Sequence, residues 1–303
     1  MKTWNSLPAI WNGLHNRNLK PEEADVVVIG LPFDRATSFR QGAAQAPDRI
    51  RLISGHISPI TEEGKSLTGI KVLDNGDLEL GRLSQEKYFS AVEKKAAELF
   101  KKSFPTFIGG DHSLSIPLVK AANGVYGNKL GVIHLDAHLD LCEELDGNRL
   151  SHGCTHRRTT EDSEFSLKNI CFAGIRSYEQ QELEFIDGKQ ANIIKASEMS
   201  RIGMEKTAER IKYSLQHCDY FYLTLDIDFL DPAAAPGTGT PKPGGFTSRE
   251  LFTLLKELSD LKFIGMDVVE VSPPLDQNDI TSFAAQRAIT EAWGYFLVRS
   301  DEA

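Results

Sequence analysis

Residues 130–140, LGVIHLDAHLD, begin as an apolar run and end with Asp136, His138 and Asp140 spaced two apart. A short run of this kind reads as a strand over 130–136, and its nearly continuous apolar character implies cover on both faces. Alternate side chains of an extended chain share a face, so these three polar groups are expected together. YFYLTLDIDFLDP at 220–232 follows the same plan, with a strand expected over 220–227 and Asp226 and Asp228 sharing a face. Carboxylates are seldom buried unless they are paired or bind a cation, and several facing one cavity repel each other without metal charge between them. The two stretches therefore read as a two-metal hydrolytic site at strand ends.

Working outward, DVVVIG at 25–30, PTFIG at 105–109, ICFAGI at 170–175 and FIGMDVVEV at 263–271 are further strand candidates. Between them, Ser84 to Lys102 carries Tyr88, Val92, Ala96 and Leu99 at helical spacing. Thr247 and Glu250 form a capping box before Leu251, Leu254, Leu255 and Leu258, and Pro47 suits the first turn of another helix. Strands alternating with helices give an α/β chain with a parallel sheet, whose ligands bind beyond the carboxyl ends of the strands. PAAAPGTGTPKPGG at 232–245 reads as a loop. With no repeat and no low-complexity linker, the chain is expected to form one domain over 1–303, with 1–24 as an N-terminal extension.

The length of 303 residues and 41% hydrophobic content suffice for a core, and the net charge of −9 argues against nucleic acid as a partner. The N-terminus lacks the apolar stretch of a signal peptide and nothing approaches a membrane span, so a cytoplasmic protein with no membrane partner is expected. Cys142, Cys154, Cys171 and Cys218 contain no CxxC pair, and free thiols are the simpler reading.

His112, in IGGDHS, adds an imidazole at a third strand end. Six candidate ligands exceed what one small catalytic cation takes while keeping a water, whereas two metals with bridging carboxylates use them all. Thiolate-free, carboxylate-rich ligation favours Mn²⁺ over zinc, Fe²⁺ or Co²⁺. GGDHS at 109–113, DAHLD at 136–140, SHG at 151–153 and LDIDFLDPAAAPGTGTPKPGG at 225–245 together closely resemble the ureohydrolase family of arginases and agmatinases. The resemblance runs from VVVIGLPFDRATSFRQGAAQAPDRIR, starting at residue 26, through GMDVVEVSPP at 265–274.

That resemblance implies a three-layer α/β/α sandwich around a mostly parallel sheet, assembled as a homo-oligomer, a trimer or hexamer. It implies that His112, Asp136, Asp140 and Asp226 hold one Mn²⁺ and that Asp136, His138, Asp226 and Asp228 hold the other, with Asp136 and Asp226 bridging. Guanidinium carbon is a poor electrophile, and a metal-bridging hydroxide is the strong nucleophile that its hydrolysis needs. His152 matches the family's proton-shuttling histidine, and Glu270 the carboxylate that orients the guanidinium. Taken alone, a histidine in a Gly-containing loop more often hydrogen-bonds backbone, and a Glu at a strand end is more often surface charge. Asp231, before Pro232, reads as a turn former outside the ligand set, and His134 as a packed, hydrogen-bonded imidazole. Asp111 either orients a ligand or caps the turn at Ser113, and Gly109 and Gly110 let the backbone pass close to the metal.

Substrate choice falls to the loop LCEELDGNRLSHGCTHRR at 141–158. Arginases usually carry a stretch of the form SGNxHG, and GNRLSHG here argues against arginine. Agmatine, cleaved to putrescine and urea, would present an ammonium to Glu143, Glu144 or Asp146. Guanidinobutyrate or formiminoglutamate would present a carboxylate to Arg149, Arg157 or Arg158. Charge runs are usually solvated surface, and Cys154 and His156 stand where agmatinase-like members more often have Thr and an aromatic residue. An agmatinase-like enzyme of polyamine biosynthesis is the leading expectation. Its alternatives are a guanidinobutyrase, formimidoylglutamase or arginase, then a single-zinc deacetylase of the related histone-deacetylase fold, then an inactive metal-binding subunit.

Overall fold

Eight short runs pair side by side into one sheet in which every pairing is parallel. The computed structural model describes residues 10–79, 81–161 and 165–298. The strands are β1 (Val26–Gly30), β2 (Val72–Asp77), β3 (Phe104–Ile108), β4 (Leu130–Leu135), β5 (Ile170–Ile175), β6 (Asn192–Lys195), β7 (Tyr220–Asp226) and β8 (Phe263–Val269). Their order across the sheet is β2-β1-β3-β8-β7-β4-β5-β6. All six expected strands form. The two that the sequence does not announce, β2 and β6, are the sheet's two edges. An edge strand lies partly in solvent, so VLDNGD and NIIK lack the apolar run that marks a central strand.

The helices are α1 (Ala46–Ser54), α2 (Gln85–Leu99), α3 (Ser115–Tyr126), α4 (Thr155–Thr159), α5 (Gln180–Ile186), α6 (Ala196–Ile202), α7 (Met204–Ser214), α8 (Ser248–Glu257) and α9 (Ile280–Phe296). Two hydrophobic clusters cover the two sheet faces. Val26 and Val28 pack with α1 and α6 to α9, while Val27 and Ile29 pack with α2 and α3, which is the period of two made visible. The result is a three-layer α/β/α sandwich. Pro47 sits in the first turn of α1, and Thr247 caps α8 through the Glu250 backbone N–H. Of the expected N-terminal extension, Ile10 and Trp11 are buried, and Trp11 Nε1 donates to Asp74 Oδ2 at 2.7 Å.

One expectation needs correction. The strands read as running through Asp136, Ile227 and Val271 stop at Leu135, Asp226 and Val269. Asp136, His138 and Asp140 therefore share a side through a turn beyond the sheet, since Asp136 Oδ1 accepts the His138 N–H at 2.6 Å and Asp140 has a φ of 55°. Asp228 likewise lies in a short 3-10 turn, held by Asp226 Oδ1 accepting the Asp228 N–H at 2.8 Å. β4 and β7 thus each lead into a turn closed by an aspartate carboxylate, that of Asp136 or Asp226.

After β3 the chain passes through a narrow gap. Gly109 N donates to Val268 O, Gly110 O accepts from Glu270 N, and Asp111 N donates to Phe33 O. A Cβ on Gly110 would stand 1.6 Å from the Phe33 carbonyl oxygen, so any side chain there forces β3's exit off the loop after β1. Gly110→Ala is expected to cost about 3 kcal/mol, as overpacking against backbone does. It is measured as a lower urea midpoint at unchanged m.

Candidate metal centre

Four neighbouring strands, β3, β8, β7 and β4, bring their carboxyl ends to one place in the middle of the sheet. The residues just past them are His112, Glu270, Asp226 with Asp228, and Asp136 to Asp140. Three of these exits use one device. Asp111 Oδ1 accepts from Ser113 N, as Asp136 does from His138 N and Asp226 from Asp228 N. Of the two roles expected for Asp111, the hydrogen bonds are those of the cap, and its Oδ2 accepts from Ala36 N at 2.9 Å rather than from a metal-ligand side chain.

The proton on His112 is fixed by what lies behind it. Tyr222 OH, Thr224 Oγ1 and Ser115 Oγ approach the buried Asp267 carboxylate at 2.7, 2.7 and 3.0 Å. With its hydroxyl proton given to Asp267, Thr224 Oγ1 accepts from His112 Nε2 at 2.9 Å. The lone pair then lies on Nδ1, which faces Asp136 Oδ2 at 2.9 Å, Asp140 Oδ2 at 3.0 Å and Asp226 Oδ2 at 3.3 Å. His112 Nδ1 and Asp136 Oδ2 are buried with no hydrogen-bond partner. An imidazole lone pair and three carboxylates aimed at one point call for a cation.

A second group adjoins the first. His138 Nδ1 lies 3.0 Å from Asp228 Oδ2 and 3.4 Å from Asp136 Oδ1, so the two oxygens of Asp136 face the two groups. Asp228 Oδ1 accepts from Ala137 N, which ties β7's exit to β4's. The donor atoms of His112, Asp136 and Asp140, and those of Asp136, His138 and Asp228, lie within 4.8 Å of one another in each set. Burial and the carboxylates of Asp228 and Asp136 push Asp226 well above the usual carboxylate range. Burial opposes charge on His112, yet the carboxylates of Asp136, Asp140 and Asp226, which would accept from a protonated Nδ1, outweigh it and raise its pKa. A proton and a cation thus compete for the same position.

Beside this cluster stand His152 and Glu270, joined at 2.9 Å through His152 Nδ1 and Glu270 Oε1. Glu270 Oε1 also accepts from His112 N at 2.9 Å, and Glu270 holds a φ of 62°, a conformation that costs a non-glycine residue about 1–2 kcal/mol. The backbone bond from Glu270 N to Gly110 O keeps it there. Burial works against a charge on His152, but the Glu270 carboxylate outweighs it and holds the pKa at about 9. His152 Nε2 faces Ser38 Oγ at 2.9 Å and Ser38 N at 3.1 Å.

All eight expected site residues thus gather at one end of the sheet. Asp231 stays out of the cluster, accepting from the N–H groups of Ala233, Gly244 and Gly245. His134 is buried, with Nε2 on the His138 carbonyl and Nδ1 on His156. Sequence reasoning missed Asp267, Thr224, Ser38 and Arg176, whose guanidinium donates to the carbonyls of Asp228, Leu230 and Lys242. Thr224 and Asp267 were open to detection, being polar residues inside runs read as buried strands.

The Arginase family model matches residues 24–294. A proclavaminate amidinohydrolase of Streptomyces clavuligerus is 36% identical over 271 residues, 88% of this chain and 86% of that protein. Its solved structure gives a TM-score of 0.84 over 93% of this chain and 94% of that one, at 35% identity. An agmatinase of Neisseria meningitidis serogroup C is 34% identical over 276 residues, 88% of this chain and 86% of that protein. A Trypanosoma cruzi formiminoglutamase solved with Mn²⁺ shares the fold, with a TM-score of 0.86 at 22% identity over 96% of this chain and 99% of that one.

The hydroxyl cradle around Asp267 gives the centre a testable dependence. Asp267→Leu is expected to weaken metal binding at the His112 group by about 10–100-fold, because Thr224 loses the acceptor that fixes its proton. Metal titration of the variant against the parent protein checks it.

Proposed function

Since the chain belongs to the Arginase family, hydrolases acting on guanidino C–N bonds, we propose that it is a binuclear manganese enzyme that hydrolyses agmatine to putrescine and urea. The observation that carries the metal reading is the pair of buried, partnerless atoms, His112 Nδ1 and Asp136 Oδ2, at the meeting of two donor sets. Oxygen and imidazole donors without thiolate suit Mn²⁺. In this reading His112, Asp136, Asp140 and Asp226 hold one cation, and Asp136, His138, Asp226 and Asp228 the other. Two such cations would supply the charge that makes water nucleophilic near neutral pH.

The protein's own part is orientation and proton handling. Glu270 Oε1 is engaged by His112 N and His152 Nδ1, which leaves Oε2 to receive a guanidinium N–H. A guanidinium seated there neutralises the charge that raises the His152 pKa. His152 then yields its proton more readily, and the leaving amine takes it as the C–N bond breaks. Neither residue needs to move far, since they are already in contact.

Agmatine is favoured by the charges left over in the substrate loop. Glu143 pairs with Arg149, Arg157 and Arg158, and Glu161 with Arg149 and Arg158, so the cations expected to meet a substrate carboxylate are already matched. Glu144 and Asp146 carry no ion pair among the described residues and remain for an ammonium. Their turn rests on the His152 loop, where Leu145 Cδ2 lies 3.1 Å from the Cβ position of Gly153. The agmatinase relative supports the same choice. A homo-oligomer, trimer or hexamer, is part of the proposal, supported by the exposed Leu52, Ile280 and Phe283 on α1 and α9. Among the described residues no helix is long and apolar enough to cross a membrane. The four buried free cysteines support a cytoplasmic location.

Mn²⁺-loaded protein is expected to release urea from agmatine faster than it releases urea from arginine, guanidinobutyrate or guanidinopropionate, or formamide from formiminoglutamate. Release from none of them overturns the enzyme reading, and preference for a guanidino acid overturns agmatine. Asp226→Asn is expected to abolish both metal binding and turnover. Glu270→Gln is expected to keep the metals and lose most activity. In metal-free protein it also lowers the pKa of His152 from about 9 toward its ordinary value, read by NMR titration.

A further inference from the structure

His156 has no part in the reaction as described, yet it is buried beside the metal centre. Its Nε2 lies 2.9 Å from His134 Nδ1, and His134 Nε2 lies 2.9 Å from the backbone carbonyl of His138. A carbonyl only accepts, so His134 carries its proton on Nε2 and has a lone pair on Nδ1. That lone pair obliges His156 to donate from Nε2. His156 Nδ1 is then the acceptor, facing Thr159 Oγ1 at 3.4 Å. The two imidazoles thus have one consistent set of proton positions, directed from α4 to the loop after β4.

The ring nitrogens of His112, His134 and His156 lie within 4.8 Å of one another, a spacing that a cation can use. His134 spends both of its nitrogens on hydrogen bonds, however, and has none left for a metal. What it does instead is touch both donor groups. Its ring stacks on His112 with centroids 5.2 Å apart and planes 15° apart, while its N–H holds the His138 backbone. Phe172 closes the other side, with its ring centroid 5.3 Å from that of His134 and 5.4 Å from that of His156. His156 N also donates to Asp140 O at 2.9 Å, so the same residue clasps the far end of the DAHLD turn.

We propose that His156 is a positioning residue, which through His134 sets the His138 backbone and so the affinity of the second cation. The proposal rests on His138 being a ligand. It makes α4, the helix that closes the substrate loop, mechanically continuous with the metal shell.

The test uses metal-free protein labelled with ¹⁵N-histidine and then Mn²⁺ titration followed by EPR of the free ion. Wild-type His134 is expected as the Nε2–H tautomer, with Nδ1 showing the shift of a hydrogen-bonded acceptor. His156→Phe keeps a ring against Phe172 but removes the donor. The His134 Nδ1 signal should move to that of a free lone pair, and one of the two Mn²⁺ sites should lose about tenfold or more in affinity, with the other unchanged. His156→Gln, whose amide places an N–H near the same point, should restore both readouts. An Nδ1–H tautomer at His134 overturns the proposal, as does unaltered Mn²⁺ binding by the Phe variant or failure of a folded Gln variant to rescue. The tautomer is read on wild-type protein and stands whether or not the Phe variant folds. Wild-type protein with the expected tautomer that binds no Mn²⁺ overturns the ligand reading, and the coupling falls with it.

Discussion

The structure turns on the mutual repulsion of four buried carboxylates, those of Asp136, Asp140, Asp226 and Asp228. Two such charges about 4 Å apart repel by roughly 4 kcal/mol at an effective dielectric near 20. A domain is typically stable by only about 5–15 kcal/mol, so a few unrelieved pairs would consume it. Relief comes from imidazoles, from backbone N–H groups and, above all, from positive charge placed between the acids. Each part of the sheet's active end can be read as a response. The strands deliver the acids, the turns aim them, and Thr224 with Asp267 keeps the proton of His112 on the side away from them.

Much of this was legible in the sequence because central strands and metal-site acids leave strong, local signals. Val26–Gly30 and Leu130–Leu135 could be read as buried strands because both faces demand apolar residues. Asp136, His138 and Asp140 could be read as a cluster because no packing role accounts for them. The edge strands β2 and β6 were illegible for the converse reason, having one side in solvent and no apolar run to show. The geometry of the turns was misread by assuming extension past Leu135, where a side-chain acceptor wins over the sheet. The contacts of Ser38 with His152 and of His156 with His134 lay beyond reach, because each joins residues far apart in sequence or across a loop whose path no spacing rule gives.

The charged loop at 141–158 shows how structure changes the weight of a composition. As sequence it offers ligands for both an ammonium and a carboxylate. In the fold its arginines converge on Glu143, with Glu161 completing the set, and Arg158 is almost wholly buried. The cluster holds α4 against the loop rather than facing outward as separate charges. Among the described residues the loop's charges without an ion pair are Glu144 and Asp146, both acidic. Selectivity in such a site comes as much from which charges are already satisfied as from which are present.

The aspartate turns that end β4 and β7 have a consequence for what these positions can become. At Asp136 and Asp226 one carboxylate oxygen bends the backbone while the other faces His112. Ligand and hinge are the same side chain. A glutamate, carrying the same charge one methylene farther out, could reach a cation but could not close the turn. An asparagine could close the turn but would lack the charge. Each position is locked by two independent demands on one group, so neither can drift toward a near neighbour without surrendering the shape of the loop or the pull on the metal.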